Sequence, residues 1–472
     1  MKYISTRGQA PILSFEDTLL AGLATDGGLY VPESWPRLPD ETLRSFADKS
    51  YAEVAFEVLS PFLGADADLA RFQEIIQQAY ACFDAPEVAP LVPLTQENGR
   101  AHYLLELFHG PTLAFKDVAM QLLARLMDDA LAKRGQRATI VGATSGDTGG
   151  AAIEAFRGRD AIDVFILYPQ GRVSDVQRKQ MTTPQDDNVR AVAVDGTFDD
   201  CQALVKSMFN DSEFRYQVGL AGVNSINWAR VMAQTVYYFT ASAKLVGAQK
   251  PIGFSVPTGN FGDIFAGYVA AKMGLPIASL MIATNVNDIL ARVLATGVYE
   301  IGDVVATASP SMDIQVSSNF ERLLFEASGR DAEMVSSLMA QLASEKSFTL
   351  SDDMREKIAS QFEAVRIDEA QTFEVMRKVQ NDMGMILDPH TAIGLGAAWQ
   401  SQLDHDIPMV TLATAHPAKF PASVEKACGA PAPAPQRVVD MMTQPERSDG
   451  LPNDLAQVQA YIRAKTRALN NA

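Results

Sequence analysis

Cysteine, histidine and tryptophan are scarce in this 472-residue chain, with three, five and three of each. Cys82, Cys201 and Cys428 lie far apart and are odd in number, so they build neither a disulfide framework nor a CxxC metal site. His102, His109, His390, His405 and His416 show no HExxH or paired-ligand spacing, and no metal centre is expected. Positive charge is short as well: Lys plus Arg is 40 against 57 Asp plus Glu, a formal net charge of −17. Nucleic acid and anionic membrane both need a basic face, so neither is an expected partner. No apolar run approaches the ~20 residues of a membrane span, and residues 1–8 lack the apolar core of a signal peptide. These absences point to a soluble, cytoplasmic protein in a reducing compartment. A small anionic ligand stays open, because it needs only a local cluster of donors.

What is present is ordinary globular material, 47% apolar and 21% charged, enough for two or three domains. Residues 1–95 read as a helical region broken by the turn Asp26-Gly27-Gly28 and a Pro-rich loop, with Asp40 placed to cap the next helix. Beyond it, short β-branched runs alternate with amphipathic windows. The runs at 138–141, 162–167, 189–194, 252–256 and 280–282 are each followed by a helical stretch. That rhythm predicts parallel βαβ units with right-handed crossovers, and near-continuous apolar strands fit sheets covered on both faces. Residues 329–380 read as two or three polar-faced helices, with Ser351 as an N-cap. The run GAPAPAP at 429–435 reads as a stiff linker, and Leu455, Val458 and Ile462 as a short terminal helix.

Four segments break the bland pattern where a strand ends or a helix begins, the place where open α/β sheets bind ligands. In FHGPTLAFKD (108–117), Lys116 stands at a helix start, where the dipole favours anions rather than an ammonium. That cost is tolerable if the amine works uncharged: a desolvated lysine can form a Schiff base with an aldehyde cofactor. Read alone, the segment favours a plainer picture, a snorkelling lysine paired with Asp117. GATSGDTGG (142–150) offers backbone N–H groups and three hydroxyls to a carboxylate or phosphate, or else is a tight turn with Asp147 and Thr148 as caps. PTGNFGD (257–263) offers a second anion cradle, or a turn capped by Asp263. Neither has GxGxxG or Walker spacing, which disfavours a nucleotide-binding module.

In TLATAHPAKF (411–420) a strand ends in Thr, His and Lys. Thr414 suits a neutral hydrogen bond to a heterocyclic nitrogen, while His416 reads as a satisfied structural histidine. NSINWAR (224–230) gathers hydroxyl, amide and guanidinium into a fair phosphate clamp, and DPHTA (388–392) looks like a helix start with Thr391 as its cap.

Taken in order with YISTRG (3–8) and DGGLYVP (26–32), these segments resemble threonine synthase, in its longer-chain branch with an N-terminal helical region. The ordered set reverses the plain reading of Lys116. The resemblance implies an α/β fold of the pyridoxal-phosphate fold type II, tryptophan synthase β-like kind. Two three-layer domains with mostly parallel sheets would make up the catalytic core (96–430, the smaller subdomain at about 115–240 and the larger from the remainder), flanked by an N-terminal helical region (1–95) and a linker with C-terminal helix (431–472). It implies a lyase holding pyridoxal 5'-phosphate and converting O-phospho-L-homoserine and water to L-threonine and phosphate, as a monomer or homodimer.

Lys116 would be the Schiff-base lysine, with Gly259, Asn260, Phe261, Gly262 and Asp263 cradling the cofactor phosphate and Thr414 meeting the pyridine nitrogen. Thr144, Ser145 and Thr148 would face the substrate carboxylate, and Ser225, Asn227 and Arg230 the substrate phosphate. Asp147 stands where the wider fold has an asparagine facing the cofactor's phenolic oxygen; a carboxylate cannot donate there unless protonated. The rival readings are a serine/threonine dehydratase or phospholyase on the same fold, and a non-catalytic homologue that binds pyridoxal phosphate or another phosphorylated ligand.

Overall fold

A helix returns the chain to the end where its strand began, so regular strand–helix alternation makes neighbouring strands parallel. In the computed structural model, which describes residues 1–94, 99–144 and 146–469, that alternation builds two principal sheets. In the larger, Phe362–Arg366, Ile277–Thr284, Ile252–Pro257, Met409–Ala413 and His102–Glu106 lie parallel in that order, and Leu91–Pro93 pairs antiparallel at the edge. In the smaller, Asp449–Pro452, Val189–Asp195, Ile162–Pro169, Ala138–Ala143 and Leu220–Ala221 are all parallel. Every residue of Ile252–Pro257, Ile162–Pro169 and Met409–Ala413 is buried, as in sheets clad by helices on both faces. This is the expected α/β arrangement of fold type II. The expected boundary at 95/96 lies outside the described residues.

The N-terminal residues form a small antiparallel pair, Tyr3–Ser5 with Tyr30–Pro32, and a set of helices. Tyr51–Leu59 shows why these helices start where they do: Ser50 and Glu53 form a reciprocal capping box, and Val54, Ala55 and Val58 turn inward. The region packs on the long helix Trp228–Val246. Tyr3, Trp35 and Phe62 all place their rings within 6.1 Å of the Trp228 ring.

Several local expectations shift. Ser351 does cap Asp352–Ala359, and Ala332–Glu345 and Glu369–Met383 are helices, but Phe362–Arg366 between them is an edge strand of the larger sheet. Its sequence FEAVR carries two charges and no full apolar stripe, as edges do. Residues 455–465 form the terminal helix, with Val458 and Ile462 fully buried. The segment before it also supplies a helix, Gln436–Met442, and the outer strand of the smaller sheet, Asp449–Pro452. Its DGLP sequence hides that strand, since Gly and Pro are tolerated only at an edge. Asp388, not Thr391, caps Pro389–Ala398, and Pro39, not Asp40, precedes Asp40–Ser45.

Candidate active site

Backbone bonds set the first piece of the site. Leu107 N donates to Ala413 O (2.9 Å), Phe115 N to Thr414 O (2.8 Å) and His416 N to Leu113 O (3.1 Å). They fasten the 107–115 segment to the end of strand Met409–Ala413, so the first residue of helix Lys116–Lys133 starts beside buried Thr414. The amine lies 4.9 Å from the Phe115 ring centroid. Burial holds Lys116 below the ordinary lysine range; Lys419 and Arg230 push the same way, while Asp147 and Asp117 oppose them.

The expected partner Asp117 is taken. Its carboxylate accepts from Thr112 N and Thr112 Oγ1, both at 2.7 Å, which locks the approach loop. The nearest carboxylate to Lys116 is Asp147, whose Oδ2 lies 3.8 Å from Nζ. Asp147 is the first residue of helix Asp147–Phe156 and makes no cap; Gly146 precedes it at φ +154°, a backbone few L side chains reach. A Cβ at Gly146 would stand 2.4 Å from the Gln177 amide, so glycine lets that side chain close on Asp147. Asp147 Oδ1 accepts from Gln177 Nε2 and faces Lys419 Nζ, each at 2.9 Å. Although burial opposes ionisation, the two lysines and Gln177 outweigh it and hold Asp147 well below the usual carboxylate range. A hydrogen-bond acceptor, not a donor, therefore occupies this position.

Thr144 Oγ1 accepts from Gly146 N and Gly149 N, both at 3.0 Å, and so braces the loop; Thr148 is half-buried at its rim. Ser145 lies outside the described residues.

The second Gly loop follows strand Ile252–Pro257. A Cβ on Gly259 would come 2.7 Å from Ser311 O, so only glycine fits against the 309–312 turn. Phe261 adopts φ 63° and precedes helix Gly262–Lys272. Asn319, fully buried, donates Nδ2 to Asn260 O (2.9 Å) and Ser225 O (3.3 Å), tying this loop to the 224–230 segment. Asp263 caps nothing: its Oδ1 accepts from the Tyr237 and Tyr238 hydroxyls, and its Oδ2 is buried without a partner. Burial raises its pKa to about 7 against the pull of those hydroxyls and of Lys116.

Asn227 uses both ends of its amide inside the chain, accepting from Ala229 N (3.0 Å) and donating to Leu19 O (2.9 Å). It sets the start of the helix that carries Arg230. Arg230 is buried, donates to Val223 O (3.2 Å), and leaves Nε without a partner. Burial alone lowers its pKa to about 10. A buried guanidinium with no carboxylate partner among the described residues suits an incoming anion. His416 is structural, as expected: Nδ1 accepts from Ala418 N (3.1 Å), and burial lowers its pKa to about 4.

The sequence reading missed Lys419, Gln177, Asn319 and the Tyr237–Tyr238 pair. Lys419 had a signal, a lysine in the apolar run PAKF much like Lys116 in AFKD. The others had none, because each lies outside the motifs and reaches the site only through the fold. Among the described residues no group of His, Cys, Asp and Glu could hold a metal, and no helix is long and apolar enough to cross a membrane.

An aldehyde cofactor bearing a phosphate fits these residues. There is a largely enclosed amine whose proton affinity burial lowers, a glycine loop at a helix N-terminus, and a buried guanidinium with no carboxylate partner among the described residues. Comparison with known proteins agrees. The chain matches the family models "Threonine synthase N terminus" (residues 2–80), "Pyridoxal-phosphate dependent enzyme" (83–414) and "Threonine synthase, C-terminal" (391–462). It is 51% identical over 463 residues to the threonine synthase of Pseudomonas aeruginosa, covering 98% of each chain. Among solved structures, a PLP-bound threonine synthase from Brucella melitensis matches at TM-score 0.97 and 56% identity, over 99% of this chain and 100% of that one. The yeast threonine synthase matches at 0.93 and 39%, over 98% of each.

Proposed function

The chain belongs to the threonine synthase family, and from that membership we propose how its residues divide the work. It is a pyridoxal-phosphate-dependent lyase that converts O-phospho-L-homoserine and water to L-threonine and phosphate, the last step of threonine biosynthesis. Bound pyridoxal phosphate supplies an aldehyde that captures an amine and an electron sink for the charge left when a substrate carbon gives up its proton.

Lys116 is the amine that would hold the cofactor, and the same amine would move protons at the α and β carbons of the substrate. Its place at a helix start, where desolvation, Lys419 and Arg230 disfavour an ammonium against Asp147 and Asp117, supports that role. The backbone of Gly259, Asn260, Phe261 and Gly262, at the start of an eleven-residue helix, receives the cofactor phosphate. Asp263 stands behind that loop, and the Thr414 hydroxyl takes the pyridine nitrogen. The N-terminus of helix Asp147–Phe156, with Thr144, Ser145 and Thr148, orients the substrate carboxylate.

Three anionic groups must enter a protein of net charge −17, and Arg230 with Ser225 supplies the remaining cationic and hydroxyl contacts for the departing phosphate. Asn227 serves by fixing the helix under Arg230. Asp147, held by Lys419 and Gln177, faces Lys116 at 3.8 Å as an acceptor. The observation that carries the assignment is the largely enclosed Lys116, whose amine lies 3.8 Å from Asp147 and whose neighbour Phe115 is hydrogen-bonded to Thr414 O. Borohydride reduction of the loaded protein followed by peptide mapping tests it: modification at Lys116 is expected, and modification elsewhere overturns it. Phosphate release with stoichiometric L-threonine is the expected turnover; a keto acid from L-threonine in its place would mark a dehydratase.

A further inference from the structure

Lys419 has no assigned part in this chemistry, yet it is almost completely enclosed. It sits in the short turn Pro417–Lys419 and is 1% exposed, with its amine 2.6 Å from Thr112 O and 2.9 Å from Asp147 Oδ1. Both partners stand next to Lys116 in the fold: Thr112 lies on its approach segment, and Asp147 opens helix Asp147–Phe156. Gln180 Nε2 reaches the same Thr112 carbonyl at 2.9 Å, so Lys419 is clamped between fixed acceptors. Asp147 thus meets two ammonium groups at unequal distance, Lys419 in direct contact and Lys116 at 3.8 Å.

We propose that Lys419 is a positioning residue, a fixed counter-cation that keeps the Asp147 carboxylate engaged and so leaves Lys116 a free amine rather than half of an ion pair. The inference rests on Lys116 being the cofactor lysine. Coulomb's law gives the sense of the effect. With Lys116 neutral, Lys419 and Asp147 form a closed pair of zero net charge; a proton on Lys116 makes the cluster +1 in a buried space. Without Lys419, Asp147 would be a lone buried carboxylate 3.8 Å from Lys116 and would draw the proton back. The other charged groups facing Lys116 do not replace Lys419. Arg230, on Trp228–Val246, also repels the proton but contacts neither Asp147 nor the approach loop. Asp117 is satisfied by Thr112, and Asp263 is held through Oδ1 by the tyrosine pair and touches neither Asp147 nor the approach loop. The lowered proton affinity of Lys116 and of Asp147 is consistent with this pattern.

The test is the pH dependence of Lys116 reactivity in the full-length, cofactor-free chain. It is read by trace acetic anhydride labelling and mass spectrometry of the Lys116 peptide. Lys419→Met is expected to raise the half-labelling pH by about one unit or more, the shift typical of a newly dominant opposite charge at this range. Lys419→Arg should hold it near the parent value, and Lys419→Met with Asp147→Asn should bring it back down. Asp147→Asn alone provides a second arm if Lys419→Met does not fold. It leaves the Lys419 charge uncompensated, so the midpoint should fall below that of the parent. An unmoved midpoint in Lys419→Met, or an unmoved or raised one in Asp147→Asn, overturns the proposal. The two readings fail separately: if borohydride traps the cofactor elsewhere than Lys116, the site assignment is lost, whereas trapping at Lys116 with an unmoved midpoint removes only the role of Lys419.

Discussion

Burial lowers the proton affinity of Lys116, with Lys419 and Arg230 pushing the same way against Asp147 and Asp117, and that arrangement fixes what its removal should do. Lys116→Ala should bind pyridoxal phosphate without covalent attachment and lose activity by on the order of 10²–10⁴-fold, the usual worth of a positioned proton-transfer group. Absorbance and turnover together check it. Arg230→Ala removes a charge-assisted contact worth about 1.5–3 kcal/mol, so the KM for phosphohomoserine should rise roughly ten- to a hundredfold. An unchanged KM would take Arg230 off the phosphate.

Asp263 titrates at about 7 in the folded chain against 3.8 as an ordinary side chain. The native state therefore holds the proton more tightly, and stability declines as pH rises between those values. In the cofactor-free protein, Asp263→Asn should melt at the same temperature as the parent or higher at pH 8, with the gap closing toward pH 5. Melting curves at the two pH values show whether it does.

At the scale of the element, the start of helix Pro389–Ala398 bears on a loop it does not belong to. Asp388 accepts from His390 N and Thr391 N and from both side chains, and His390 Nε2 accepts from Ser311 N at 3.3 Å. Ser311 O is the atom that a Cβ on Gly259 would strike. Asp388→Ala should therefore cost about 1–3 kcal/mol, a lost cap plus an orphaned buried imidazole, and should also loosen cofactor binding. Urea unfolding and a cofactor titration separate the two effects.

Legibility in the sequence followed the same physics. Ile252–Pro257 and Ile162–Pro169 could be read because buried strands must be apolar throughout. Phe362–Arg366 and Asp449–Pro452 could not, because an edge pairs through its backbone and leaves side chains little to announce. Within the site, Lys116, Asp147 and the 259–263 loop announced themselves by odd residues at strand ends. Gln177 and Asn319 look ordinary in sequence and matter only for where folding brings them.

On the scale of the whole molecule, distant segments complete one another. Arg322, fully buried, donates to Tyr30 O and Ile226 O and meets Asn319, joining the N-terminal strand pair to the loops around Arg230 and Asn260. At the other end, Arg467 pairs with Asp163, a buried carboxylate in the smaller sheet, and Thr466 donates a hydrogen bond to it. Val458 and Ile462 fill a cluster with Val141, Phe165 and Val192. A chain cut after residue 447 would lose those contacts, strand Asp449–Pro452 and its helix. Two buried aliphatic side chains are worth about 1.5–3 kcal/mol each, and an abandoned buried charge about 3–5 more. Limited proteolysis should then open residues 115–240 first, while the larger sheet persists.

The smaller sheet has a further consequence for how the protein is made. Four of its strands emerge early, but the fifth, Asp449–Pro452, is translated only after the entire larger sheet. Until then the nascent polypeptide presents Val189–Asp195 as a bare hydrogen-bonding margin, a template for wrong partners. Chaperone protection during biogenesis should be concentrated there.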